Sequence, residues 1–71
     1  MRRLLIIVKK GSGNFSAYAP DLPGCVATGA TPEETKASMQ AAVDMHVRGL
    51  REDQLPIPEP SVIAEYVEVG P

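Results

Sequence analysis

The tetrapeptide Thr31-Pro32-Glu33-Glu34 places a helix start near the middle of a 71-residue chain. Thr31 is a good N-cap, because its hydroxyl can accept from the amides of the first turn. Pro32 suits the first helical position, where the missing N–H costs nothing. Glu34, three residues after Thr31, completes a capping box, and Glu33 and Glu34 complement the positive end of the helix dipole. From here a helix is predicted to about Glu52. At about 100° per residue, Thr35, Met39, Ala42, Val43, His46, Val47 and Leu50 share an arc of roughly 140°. Lys36, Gln40, Asp44, Arg48 and Arg51 lie outside or at its edge. One helix with one apolar stripe must be laid on something, and Ala42 and Gly49 allow close approach.

The flanking segments supply a sheet. Leu4 to Val8 is a continuous branched-aliphatic run, long enough for a strand buried on both faces. Gly11-Ser12-Gly13-Asn14 is a turn. Phe15, Ala17 and Ala19 then alternate with Ser16 and Tyr18, the period of a half-buried strand. Pro20-Asp21-Leu22-Pro23-Gly24 must be a loop, since two prolines remove two ladder donors. Asp21 is expected to cap backbone amides in that turn. Cys25 to Gly29 is a short third strand, in which Ala27 and Gly29 leave room for a neighbour packed close above. Beyond the helix, Pro56, Pro58 and Pro60 at alternate positions enforce an extended connector. Val62 to Val69 reads as a fourth strand, with Val62, Ala64 and Tyr66 on one face.

The predicted fold class is α+β, with element order β-β-β-α-β. The four-stranded sheet is mostly antiparallel, in spatial order 3-2-1-4 with the fourth strand parallel beside the first. The helix covers one sheet face. The other face stays open, carrying Ile, Val and Tyr side chains, which points to a dimer interface. Residues 1–71 form one domain, and a chain of this size buries only about 60% of its unfolded surface. The single cysteine excludes an intramolecular disulfide and a multi-cysteine zinc site. A partner in the form of a second copy is the remaining staple.

Charge and targeting signals narrow the function further. A pI near 5.2 argues against broad phosphate neutralisation of a nucleic acid. Arg2, Arg3, Lys9 and Lys10 stand at the start, and Glu59, Glu65 and Glu68 near the end. Pairing of the first and last strands would bring these charges together, where exposed pairs contribute about 0–1 kcal/mol. The apolar run after Arg3 is too short for a signal peptide and ends at Lys9-Lys10. No run approaches the roughly 20 apolar residues of a membrane span. A cytoplasmic protein is expected, and one unpaired cysteine fits a reducing compartment.

Catalytic chemistry finds no constellation. His46 sits within the apolar stripe and reads as a packed histidine. A Cys25–His46 dyad would lie in the core, out of substrate's reach. The first strand offers no acid to a two-metal site. Gly11-Ser12-Gly13 lacks the lysine and helix of a phosphate loop. Neither a metal nor a cofactor is implied, and no enzyme activity is expected. Binding remains, through open sheet edges and the aromatic side chains Phe15, Tyr18 and Tyr66, each read as core packing or as an interface anchor.

Three stretches together carry a family resemblance: Tyr18-Ala19-Pro20-Asp21-Leu22-Pro23-Gly24-Cys25, then Gly29-Ala30-Thr31-Pro32-Glu33-Glu34, then Ile57-Pro58-Glu59-Pro60. In combination they resemble the HicB-type antitoxins over nearly the whole chain. The resemblance implies a partial RNase-H-like domain without the catalytic acids. It also implies a dimer or tetramer that neutralises HicA, a small basic mRNA-cleaving toxin. Pro20, Asp21, Pro23, Gly24, Cys25, Thr31 and Glu34 read as structural, shaping a loop and capping a helix. Tyr18, Tyr66, Glu65 and Glu68 are the candidate interface residues. The alternative is a solitary oligomeric scaffold, or a ligand- or protein-binding module without a toxin. Family members often continue into a helix-turn-helix or ribbon-helix-helix domain. This sequence stops at Pro71, just after the expected fourth strand, so operator binding is not expected.

Overall fold

The structure, a computed structural model, describes residues 3–71. Arg2, part of the basic start, lies outside the described residues. Three strands and one helix follow in order: β1 (Ile7–Lys10), β2 (Phe15–Tyr18), β3 (Val26–Gly29) and α1 (Pro32–Glu52). The strands form an antiparallel sheet in the order β1-β2-β3.

The β1–β2 turn closes where the Gly11 amide donates to the Asn14 carbonyl at 2.7 Å. Gly13 has φ 84° in this turn, a conformation in which a side chain would be strained. Register pairs Ile7 with Tyr18 and Val8 with Ala17, and on β3 pairs Tyr18 with Val26 and Ala17 with Ala27. One sheet face therefore presents Ala17 and Ala27, and the other Ile7, Tyr18 and Val26.

The first strand differs from the expected Leu4–Val8. It starts three residues later and runs on to Lys10, and Val8 is exposed rather than buried on both faces. Pro20 gives the physical reason. Continuing the register would set Leu5 opposite Pro20, which has no N–H to donate. The ladder stops, and Leu4 and Ile6 pack as half-buried side chains beside the core instead.

Helix α1 begins and ends where the sequence predicts. The Thr31 hydroxyl accepts from the Glu34 amide at 3.1 Å. Among the described residues, the return bond from the Thr31 amide to the Glu34 carboxylate is not formed, so the box is half closed. The C-terminus is a Schellman turn. The Leu55 amide reaches the Leu50 carbonyl at 2.8 Å, and the Gln54 amide reaches the Arg51 carbonyl at 3.1 Å. Gln54 takes the left-handed position, with φ 58°.

The apolar stripe packs as its spacing requires. Thr35 and Met39 are fully buried, and Ala42, Val43, His46, Val47 and Leu50 are half-buried. The core is small: Ala17, Ala19, Leu22, Cys25 and Met39, with Thr35 as the buried polar residue. Leu22 fills it from within the proline loop. Close approach occurs at Gly29, directly under Thr35, whereas Gly49 has no neighbour within 4 Å of where a Cβ would stand. The expectation for Gly49 is thereby corrected. The closest approach is at the first turn of α1, while near its far end Val47 and Leu50 rather than Gly49 pack against the core.

After Gln54 the described chain carries no further helix or strand. Residues 62–69, expected as a fourth strand parallel to β1, run without a ladder partner, and the sheet has three strands. No helix among the described residues is long and apolar enough to cross a membrane.

Candidate functional site

The proline loop between β2 and β3 closes on its own backbone. The Leu22 amide donates to the Ala19 carbonyl at 3.0 Å, and the Cys25 amide to the Leu22 carbonyl at 3.1 Å. Pro20 and Pro23 have no amide to satisfy, and Gly24 supplies φ 83°. These bonds leave Asp21 without the turn-capping role expected of it. Its carboxylate instead accepts from a residue 40 positions away. The Ser61 amide donates to Oδ2 at 3.0 Å and the Ser61 hydroxyl to Oδ1 at 2.5 Å. The Ser61 hydroxyl, then the Ser61 amide, hold the Asp21 pKa below its ordinary value. Ser61 carries no signal of its own in the sequence. It falls just after Pro60, where the rigid connector ends.

Cys25 and His46 line one shallow depression of about 190 Å³, together with Gly24, Val26, Ala42 and Met45. Cys25 is buried, and burial pushes its thiol pKa up. A nucleophilic cysteine needs the opposite shift. No group of three or more His, Cys, Asp or Glu side chains that could hold a metal occurs among the described residues.

The surfaces that remain are suited to binding other chains. On the open sheet face Ile7, Tyr18 and Val26 lie side by side across the three strands, with Tyr18 46% and Val26 65% exposed. Core packing therefore does not account for Tyr18, and it does not account for Tyr66 either. Phe15 is half-buried on the helix side. A second surface is a groove of about 1490 Å³ between the start of the chain, the flank of α1 and residues 57–63. Its walls include Leu4, Ile6, Met39, Val43 and Val47, and Arg3, Lys36, Arg48 and Arg51 also line it.

The sequence matches, over residues 4–70, the family described as HicB-like antitoxins of bacterial toxin-antitoxin systems. The chain belongs to this family. Relatives of the HicB-like chain include an uncharacterized 14.9 kDa protein from the rep–hol intergenic region of Haemophilus phage HP1, 29% identical over 62 residues. The match covers 87% of this chain and 47% of the phage protein, so the chain spans about half the length of that relative. A UPF0150 protein of Synechocystis is 25% identical over 65 residues, 92% of this chain and 82% of its own. No solved structure matches at a significant level. The loop and cap residues that carry the HicB-like pattern occupy the positions just described. Pro20 through Cys25 seat Leu22 in the core, and Thr31 caps α1 over β3.

Proposed function

We propose that this chain is a non-enzymatic antitoxin, a single HicB-like domain that neutralises a small basic mRNA-cleaving toxin of the HicA type by protein–protein contact. The observation that carries this reading is the family match across residues 4–70. Its acidic character supports it: a net charge of −2 suits a basic partner, chiefly by steering encounter. Tyr18, exposed among Ile7 and Val26 on the open sheet face, is the anchor this reading assigns to the toxin. Tyr66, Glu65 and Glu68 serve assembly of the antitoxin itself, as a dimer or tetramer in the cytoplasm. The partial RNase-H-like fold implied by the family would then be completed by a fourth strand that the lone chain leaves unpaired.

The test is co-expression with the small basic protein encoded beside the gene. Rescue of growth and a complex that survives gel filtration are expected. A toxin that still arrests growth and elutes apart from this protein would refute the pairing. A gene with no such neighbour would favour an oligomeric scaffold, for which the same Ile7–Tyr18–Val26 row is the contact face.

A further inference from the structure

We infer that residues 62–69 are an exchange arm: they add as the fourth strand to β1 of a second copy and to the groove beside its approach, Arg3 to Ile6, and the second copy returns its own arm. The arm is built as a strand yet, among the described residues, has no strand partner in the lone chain; only its first residues touch the fold, Val62 by an amide bond to Asp21 and Val62 with Ile63 by lining the groove. Ile63 is 82% exposed, Tyr66 97%, Val67 87% and Val69 92%. Four of its eight residues (Val62, Ile63, Val67, Val69) are β-branched, and it contains neither proline nor glycine. An exposed apolar run of this kind marks a site of interaction with another chain.

The receiving site has the matching chemistry. β1 is an edge strand, with β2 on one side and, among the described residues, no strand on the other. The approach to that strand, Arg3 to Ile6, borders a groove with apolar walls (Leu4, Ile6, Val43 and Val47), in which the cations Arg3, Lys36, Arg48 and Arg51 outnumber the one acid, Asp44, and which the chain's own Val62 and Ile63 also line. The arm offers apolar side chains interleaved with Glu65 and Glu68. A basic toxin would meet like charge there, whereas the acidic arm meets opposite charge.

The Asp21–Ser61 bonds explain why the arm is given away rather than folded back. They pin the chain to the β2–β3 loop one residue before the arm begins, and every residue from there onward is exposed. The arm is about 26 Å long when extended, at about 3.3 Å per residue, enough to run the length of β1 and its approach in a neighbour. Reciprocal exchange about a two-fold axis closes both edges, so assembly stops at a dimer along this contact. It also supplies the apolar burial that so small a core lacks.

Sedimentation velocity with amide hydrogen exchange tests the proposal on the full chain, without any toxin. The wild type is expected to be a dimer in which alternate amides across 62–69, those facing β1, are protected. Successive amides of an added edge strand point alternately to β1 and to water, so one of the neighbouring variants Tyr66→Pro and Val67→Pro removes a ladder donor; no backbone bond holds either residue in the lone chain, so the core should keep its helical circular dichroism. That variant is expected to raise the dimer dissociation constant by about 100-fold and to release the arm amides. Glu65→Lys with Glu68→Lys is expected to weaken the dimer and to reverse its salt dependence. Four results would overturn the exchange: a monomer at about 100 µM, a dimer whose arm amides all exchange freely, arm amides protected in a monomeric sample, or a dimer unaffected by both Tyr66→Pro and Val67→Pro. The second would place the interface on the Ile7–Tyr18–Val26 face. The third would return the arm to its own sheet.

Discussion

Gly29 lies so close beneath Thr35 that a Cβ on it would stand 2.6 Å from the Thr35 hydroxyl and 2.8 Å from the Thr35 amide nitrogen. Thr35 cannot yield, because its hydroxyl donates to the Thr31 carbonyl at 2.7 Å and its amide to the same oxygen at 2.9 Å. Gly29→Ala therefore forces the first turn of α1 away from β3. The expected cost is about 1–3 kcal/mol, read as a lower midpoint in urea or a lower Tm. A Gly29→Ala variant as stable as wild type would show that the helix is not held this tightly.

Gln54 has the opposite character. It holds a left-handed conformation that glycine adopts freely, at the one position where the Schellman turn demands it. Gln54→Gly is expected to raise stability by about 0.5–1 kcal/mol, since relief of the left-handed strain outweighs the added freedom of the unfolded chain. Thermal unfolding of the two proteins side by side measures this.

The link between Asp21 and Ser61 depends on ionisation. The Asp21 pKa is lowered in the folded chain, so the attachment is fully present above the unfolded value, about 3.9. It is lost as pH falls through the lower folded value. The Ser61 amide resonance should therefore move with a midpoint below the ordinary aspartate value. Asp21→Asn should abolish that titration while leaving the helix signals in place. A Ser61 shift that titrates unchanged in Asp21→Asn would disprove the attachment.

Cys25 should behave as an inert thiol. Buried, and with its pKa raised, it should react with a disulfide reagent far more slowly in the native protein than in urea. Rapid native labelling would reopen the question of a Cys25–His46 pair.

What could be read in advance was whatever is settled by near neighbours in the chain. The helix stripe from Thr35 to Leu50 follows from a period of 3.6, and the Thr31 cap from four consecutive residues. The alternation of Phe15, Ala17 and Ala19 likewise gave the sheet face under the helix. Contacts between distant residues were not legible. The place where β1 begins depends on Pro20 across the hairpin, and the partner of Asp21 is 40 residues away. Residues 62–69 read as a strand because their composition is that of a strand. Composition says nothing of which edge, or which molecule, provides the ladder. Leu22 was hidden inside a motif whose prolines and glycine drew attention to the turn rather than to its one large apolar side chain.

The exposed run from Val62 to Val69 also bears on how long the protein survives. An extended, unpaired stretch with Tyr66 and several valines in full contact with water is what a protease engages most readily. Exchange into a second copy would hide it. Scarce copies would then be cut and abundant ones spared, so the turnover of the protein would depend on its own concentration.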